Sequence, residues 1–146
     1  MSKSICYDDI QPFIKSAELE FKKWICPEFY FDLLQNKCND DYHDLLYGSE
    51  FDCNGQTWCH SGIVTVLVFI AYSMYVVTGS IKDTPYGLVE KNNPWSDKID
   101  DKTKAYQSKQ AMHDAKCYWS EVVTYLNEQD EAPWLEYWQK CNECTC

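Results

Sequence analysis

Several features that would point to an enzyme are missing from this sequence. Glycine occurs only 5 times in 146 residues, and no segment has the glycine-rich spacing of a phosphate-binding loop. None of the 3 histidines belongs to a His-Glu-x-x-His motif, which marks helical zinc proteases. Nothing in these patterns indicates catalysis, and the sequence predicts a protein that is not an enzyme.

Basic residues are also scarce, and this scarcity restricts the class of partner. Lysine and arginine together number 13 against 23 acidic residues, so the formal net charge is -10. Nucleic-acid backbones and anionic membrane surfaces are repelled by a chain of the same sign. We therefore expect no nucleic-acid partner and favour a basic or amphipathic one.

The N-terminal residues lack the apolar segment of a secretory signal peptide. The chain has 9 cysteines, whereas a secreted disulfide framework usually has an even number. Both observations predict an intracellular protein with mostly reduced thiols that pack as small apolar side chains. The odd thiol leaves a homodimer open.

The cysteines suggest one further alternative, a zinc-stabilised helical module. Cys141 and Cys144 form a C-x2-C pair, but a structural zinc site needs four ligands. Cys59 and His60 would have to complete it through folding. No second pair has matching spacing, and we expect no metal and no cofactor.

Charge is absent from one long segment, Gly62–Thr78. It is shorter than the roughly 20 apolar residues of a membrane span, so no transmembrane anchor is expected. Its many β-branched residues favour strands, yet its length favours a helix. We predict a central helix starting at Trp58, with Thr57 as N-cap and residues 58–78 buried.

The remaining chain has apolar residues at helical spacing, separated by polar or proline-containing connections. Residues 79–94 have the composition of a loop. The pattern predicts one domain, 1–146, with an all-α helical bundle around the central helix. The other predicted helices are Ile5–Ile25, short helices around 29–34 and 42–46, Asp100–Asn127 and Asp130–Trp138.

Two segments have the order and separation of a known pair of motifs. Residues 51–60 read Phe-Asp-Cys-Asn-Gly-Gln-Thr-Trp-Cys-His, directly before the apolar run. Residues 123–138 read Val-Thr-Tyr-Leu-Asn-Glu-Gln-Asp-Glu-Ala-Pro-Trp-Leu-Glu-Tyr-Trp. They resemble the homology 1 and homology 2 motifs of the Bcl-2 family of apoptosis regulators. The residues that carry this resemblance outside the groove are Phe51, Pro133, Trp134 and Trp138.

The resemblance implies a Bcl-2-like helical bundle with a hydrophobic groove that binds the BH3 helix of pro-apoptotic proteins. Such recognition places apolar ligand residues at i, i+3 or i+4 and i+7 into pockets. It implies a cytoplasmic inhibitor of apoptosis, recruited to the mitochondrial surface and similar to divergent viral members. The expected groove residues are Phe31, Leu34, Tyr42, Leu45, Leu46, Gly55, Thr57, Trp58, Cys59, His60 and Val64.

The sequence departs from the family pattern at a functional position. His60 stands where the family has an arginine that pairs with a ligand aspartate. If His60 takes that role, affinity should rise as pH falls, because an imidazolium adds charge. Residues 14–21 lack the Gly-Asp pair of a homology 3 helix, and Ser80–Asp100 resembles an insertion. A helical adaptor with the same fold and another signalling partner is the alternative.

Overall fold

The computed structural model describes residues 7–78, 81–84, 87–90 and 101–143. Helices dominate this part of the chain, and two β-hairpins interrupt them. The helices are α1 (Tyr7–Lys22), α2 (Pro27–Gln35), α3 (His43–Tyr47), α4 (Gly62–Thr78), α5 (Asp101–Glu128) and α6 (Leu135–Glu143), with a 3-10 turn at Asp40–Tyr42. The strands are β1 (Ser49–Cys53), β2 (Gln56–His60), β3 (Ile81–Thr84) and β4 (Gly87–Glu90).

Helix α4 lies at the centre and packs against α1, α3 and α5. Ile63, Val66 and Ile70 are almost completely buried because they share the side of the helix that faces its neighbours. The helix predicted for the uncharged run is confirmed, but it begins at Gly62 and not at Trp58. Among the described residues, no helix combines the length and the apolar character needed to cross a membrane.

The 28-residue helix α5 runs beside α4, and the Asp100–Asn127 prediction agrees with it to within one residue at each end. Aromatic rings join this helix to both ends of the chain. Phe21 meets Trp119 edge-on at a centroid distance of 5.1 Å, and Trp119 lies 6.3 Å from Trp138. Trp138 is in turn 6.1 Å from Phe29. This aromatic cluster fixes α1, α2 and α6 on α5.

A β-hairpin replaces the predicted helix start before α4. Strands β1 and β2 pair antiparallel, with Phe51 opposite Trp58 and Cys53 opposite Gln56. Only Asn54 and Gly55 remain between the strands, and both have positive φ, 52° and 79°. Asn-Gly with two positive φ angles matches the tight turn that the right-handed twist of a hairpin prefers. The dipeptide is a local hairpin signal, which the assignment of Thr57 and Trp58 to a helix start overlooked.

Two glycines let the hairpin join the helices on each side through close backbone contact. Gly62 has φ +87°, and a Cβ there would lie 2.4 Å from the Leu46 carbonyl oxygen. Gly48 has φ +102°, and its Cβ would lie 2.5 Å from the His60 carbonyl oxygen. The chain therefore enters and leaves the hairpin at one point, where larger residues would force the backbones apart.

The connection between α4 and α5 also differs from the prediction. Residues 79–94 were expected to form a loop, yet Ile81–Thr84 and Gly87–Glu90 form an antiparallel hairpin with Ile81 opposite Glu90. The other residues of this prediction, 79–80, 85–86 and 91–94, lie outside the described part of the chain.

One buried polar cluster ties α2 to the 3-10 turn. The Tyr42 hydroxyl donates to Asp32 Oδ2 at 2.7 Å, and Asn36 Nδ2 donates to Asp32 Oδ1 at 3.0 Å. Burial raises the pKa of Tyr42 well above its ordinary value, and the bond to Asp32 adds to the effect. Both carboxylate oxygens are thus bonded, as a buried charge requires.

One pair of cysteines is an exception to the expected, mostly reduced state of the thiols. Cys26 and Cys141 form a disulfide with a Cα–Cα distance of 5.3 Å, across 115 positions of sequence. It links the residue before α2 to α6 near the end of the chain. Of the other cysteines that the structure describes, Cys53 is buried. The exposed free ones are Cys38, Cys59 and Cys117.

Candidate functional site

One side of α4 is left uncovered by the surrounding helices, contrary to the prediction that this helix is buried throughout. Val64 and Val68 are 36% and 52% exposed, and Tyr72, another four residues along, is half-buried. These positions lie above one another on the helix. Thr65 lies beside them, and its hydroxyl donates to the Ser61 carbonyl oxygen at 3.0 Å. We call Val64, Thr65, Val68 and Tyr72 the α4 face.

Aromatic pairs border the α4 face on both sides. On one side, Phe13 of α1 meets Tyr75 edge-on at 5.8 Å between ring centroids. On the other side, Phe69 stacks on Tyr118 of α5 at 5.0 Å. The α4 face is therefore the floor of a shallow groove between α1 and α5, and its rims are aromatic.

The α5 rim of this groove carries negative charge. Asp114 and Glu121 lie four residues before and three residues after Tyr118, so they share its side of the helix. Lys109 and Lys116 fall on the opposite side of α5 at a spacing of 3.6 residues per turn. The groove is thus apolar at its floor and acidic along one edge.

The groove predicted from α2 and α3 is not assembled as one surface. Tyr42, Leu45 and Leu46 are only 2%, 0% and 8% exposed, so they belong to the core and their assignment to a binding groove is corrected. Phe31 and Leu34 do lie at the surface, at 51% and 42% exposure. Because the α3 residues are buried, they cannot form one surface groove together with Phe31 and Leu34.

Phe31 instead belongs to an outer patch on α1 and α2. Lys22 Nζ lies 4.9 Å from the centroid of the Phe31 ring, in cation–π contact. Leu19, one turn before Lys22, is 65% exposed and lies on the side of α1 opposite the buried Ala17. This patch faces away from the core and is separate in sequence and in helix face from the α4 face.

The residues of the homology 1-like segment form the hairpin and do not line a groove. Phe51 is buried, whereas Trp58 is 49% exposed, so Trp58 is not the packing support that the resemblance implies. Gly55 forms the turn, and Cys59 is exposed on β2. Thr57 is a strand residue and not the N-cap of α4, because α4 starts five positions later.

His60 lies inside the molecule and not at a ligand-binding surface. Its side chain is only 4% exposed, and its ring stacks on Tyr125 at 4.2 Å between centroids. Phe51 covers a second side at 6.0 Å, and Nε2 lies 3.1 Å from Ser49 Oγ. A ligand aspartate has no access to this ring, so the predicted pairing and its pH dependence are corrected.

The electrostatics of this cluster follow from its burial. Burial lowers the pKa of His60, and the negative charge of Asp44 opposes this only in part. Burial raises the pKa of Tyr125, Asp44 raises it further, and a hydrogen bond from Ser49 lowers it. The imidazole is therefore neutral, and the phenol keeps its proton.

The Ser49–His60 hydrogen bond has the form of a nucleophile and its base, but the third member of such a system is missing. An activated serine requires a base that another group orients. Within the described residues, His60 Nδ1 has no hydrogen-bond partner. We interpret this pair as a structural link between the hairpin and α5.

The homology 2-like residues pack in the core or beside it. Trp134 and Trp138 are 1% and 7% exposed, and the Trp138 indole N–H donates to Asn127 Oδ1 at 3.0 Å. Pro133 lies in the connection between α5 and α6. These residues anchor α6 on α5, and they do not face the α4 groove.

A cavity of about 410 Å³ lies beside this connection. Asp41 and Glu131 contribute carboxylates to it, and the remaining walls combine aromatic and polar groups. Its acidic lining does not provide the apolar pocket that a small-molecule or helix anchor requires. The other lining residues are Tyr125, Gln129, Ala132, Pro133 and Trp134.

The zinc alternative loses one of its ligands. Cys141 is bonded to Cys26 and has no thiolate to donate to a metal, while Cys144 lies outside the described residues. In the described part of the chain, no group of three or more His, Cys, Asp or Glu side chains is arranged to hold a metal ion.

Sequence reasoning missed the exposure of Val68 and Tyr72, although it singled out Val64. A signal existed, because Val64, Val68 and Tyr72 recur every four residues and thus lie on one side of a helix. An uncharged helix has no polar stripe, however, and its exposed side can be recognised only once its neighbours are placed.

Comparison with known proteins gives a family and no further relatives. One protein-family model matches residues 10–146, and its description is a family of unknown function, DUF6712. No curated protein and no solved structure matches the chain.

Proposed function

The chain belongs to the DUF6712 family, a family of unknown function, and we propose that it is a binding protein and not an enzyme. Its partner is an amphipathic helix that lies on the α4 face. The observation that carries this proposal is the contiguous α4 face, where Val64 and Val68 are 36% and 52% exposed on one side of an uncharged central helix. Exposed apolar surface of this kind is typical of interaction sites.

The shape of the groove favours a helix over an extended peptide. From Val64 to Tyr72 the floor follows one side of α4 for about 12 Å, roughly two helical turns. An extended peptide would need an unpaired strand edge to bond its backbone, whereas all backbone groups in the middle of α4 are bonded within the helix. A helical partner satisfies its own backbone in the same way.

Charge defines the partner further. The chain has a net charge of -10, and Asp114 and Glu121 lie along the α5 rim. Opposite charges at the rim speed association and select among partners. The proposed ligand is therefore a helix with an apolar stripe and basic residues beside it.

The resemblance to the Bcl-2 family suggests a specific form of this function. In that form the chain is a cytoplasmic inhibitor of apoptosis, recruited to mitochondria, that sequesters BH3 helices of pro-apoptotic proteins. Because His60 is buried, our proposal places the BH3 helix on the α4 face without an arginine-like anchor. A helical adaptor for another signalling partner would use the same face.

Peptide binding by a matched pair of variants tests the proposal. Val68→Glu places a carboxylate at the centre of the face and should weaken binding about thirtyfold, or about 2 kcal/mol. Val77→Glu is the control, because Val77 is similarly exposed, at 44%, and lies on the opposite side of α4. Calorimetry with BH3 peptides and unrelated basic amphipathic helices provides the measurement.

The two forms of the function give different results in this assay. Val68-dependent binding of BH3 peptides supports the apoptotic form. Val68-dependent binding of the other helices alone supports the adaptor. If no helical peptide binds, or if Val68→Glu and Val77→Glu weaken binding equally, the α4 face is not the site.

A further inference from the structure

Among the described residues, one covalent link joins distant elements, and it lies near the surface of the protein. Cys26 and Cys141 are both half-buried, so the disulfide is not enclosed in the core. Accessible disulfides undergo thiol exchange more readily than enclosed ones. The Cys26 backbone N–H also donates a hydrogen bond to Cys141 Sγ at 3.3 Å. The same sulfur therefore contacts the backbone directly before α2.

Helix α6 depends on its contacts to stay in place. It has 9 residues, and isolated helices of this length are only marginally stable in water. Its main non-covalent anchor is Trp138, which packs on Phe29 of α2 and Trp119 of α5. The disulfide adds a covalent anchor one helical turn further along.

The chain before α6 is held independently of the disulfide. Trp134 is 1% exposed and lies 6.0 Å from the Tyr125 ring. This residue stays attached to α5 if α6 moves. The connection therefore has a fixed point at Trp134, about which α6 can dock or undock.

We propose that the Cys26–Cys141 disulfide is a redox-controlled clasp that holds α6 on α2. When it is closed, α6 covers Phe29 and the α2 side of the aromatic cluster. When it is open, α6 undocks about Trp134 and exposes Phe29 and Trp138. The rest of the bundle stays folded, because α4 is packed by α1, α3 and α5.

The opening reaction is thiol–disulfide exchange with a small thiol such as glutathione. A thiolate attacks one sulfur of the Cys26–Cys141 bond, and the other sulfur leaves as a thiolate and takes up a proton. A second thiol molecule then displaces the remaining protein thiol. The protein disulfide gains two electrons and two protons, and two molecules of small thiol are oxidised to their disulfide.

Hydrogen exchange of the full chain, followed by mass spectrometry with and without dithiothreitol, tests the clasp. Amides of Leu135–Glu143 should exchange at least about tenfold faster after reduction, while those of Gly62–Thr78 keep their protection. Cys26→Ser and Cys141→Ser should show the fast exchange under both conditions. Cys38→Ser and Cys117→Ser remove exposed free thiols and should keep the full response to reductant.

Each other outcome overturns the clasp. Equal protection of α6 in both redox states would show that packing alone holds it. Loss of the helical circular dichroism signal on reduction would make the disulfide a scaffold for the whole molecule and not a switch. Peptide mapping of the air-oxidised chain must also recover Cys26 joined to Cys141, and free thiols at both positions would remove the premise.

Discussion

At the scale of single residues, His60 shows how burial changes the role of a side chain. One ring nitrogen lies 3.1 Å from Ser49 Oγ, while Nδ1 has no partner among the described residues. The stacked Tyr125 ring and the 4% exposure remove the solvent that would stabilise an imidazolium. His60 therefore contributes to folding as a neutral group that joins β2 to α5.

This burial predicts a stability that depends on pH. Because the pKa of His60 is lower in the folded chain, the unfolded chain binds the proton more readily. The contribution of His60 is complete above its unfolded pKa of about 6.5 and is lost as pH falls further. Urea unfolding should show that the free energy of unfolding falls between pH 7.5 and pH 5.5. This fall should be smaller for His60→Gln than for the unmodified chain.

The exposed Gln56, which does not titrate, supplies the control for this measurement. Gln56→Ser, on the same hairpin, should leave the pH dependence of unfolding unchanged, since Gln56 is exposed and carries no ionisable group. The same loss of stability at low pH in the unmodified chain and in His60→Gln would contradict the burial argument.

At the scale of elements, the corner between the hairpin and α4 predicts unequal effects of two similar substitutions. Gly62→Ala should destabilise the chain by roughly 3 to 5 kcal/mol, because it combines a positive φ with a Cβ 2.4 Å from the Leu46 carbonyl oxygen. Gly55→Ala should cost only about 1 to 2 kcal/mol. Gly55 also has a positive φ, of +79°, but no atom lies within 4 Å of its Cβ position. Denaturant unfolding measures both, and equal losses would show that the corner relaxes.

The elements also show the limits of pattern reasoning. Helix α4 could be predicted from its long uncharged run. Helix α5 could be predicted from apolar residues that recur at helical spacing among charged ones. The β1–β2 hairpin was missed because Trp58 was assigned to the start of the helix, with Thr57 as its N-cap. The Asn54–Gly55 dipeptide is nevertheless a local sequence signal for a hairpin turn. The candidate site was predicted only at Val64, since the placement of α1 and α5 decides which side of α4 stays exposed.

At the scale of the whole molecule, the negative charge predicts that binding responds to salt. A helical peptide with lysines beside its apolar stripe should bind several-fold more weakly when ionic strength rises from about 0.05 M to about 0.5 M, because screening shortens electrostatic range. The same peptide with glutamines at those positions should be much less sensitive. Titrations of both peptides into the same chain measure the difference.

The rim residues provide the matched variants for this experiment. The double variant Asp114→Asn and Glu121→Gln should reduce the salt response of the lysine peptide. Glu136→Gln removes a single negative charge from α6, where Glu136 pairs with Lys140 at 3.4 Å, and should leave the response close to that of the unmodified chain. Identical salt responses of the lysine and glutamine peptides would show that opposite charge does not contribute to the affinity.

The sequence by itself determined the central apolar helix Gly62–Thr78, the long helix beside it and the acidic character of the surface. These properties depend on neighbouring residues or on composition, so they can be identified before the chain is folded. Only the tertiary structure decided that His60 is buried, that Val68 is exposed and that Cys26 meets Cys141. Each of these depends on contacts between residues far apart in sequence, and no local pattern specifies which of them the folded chain brings together.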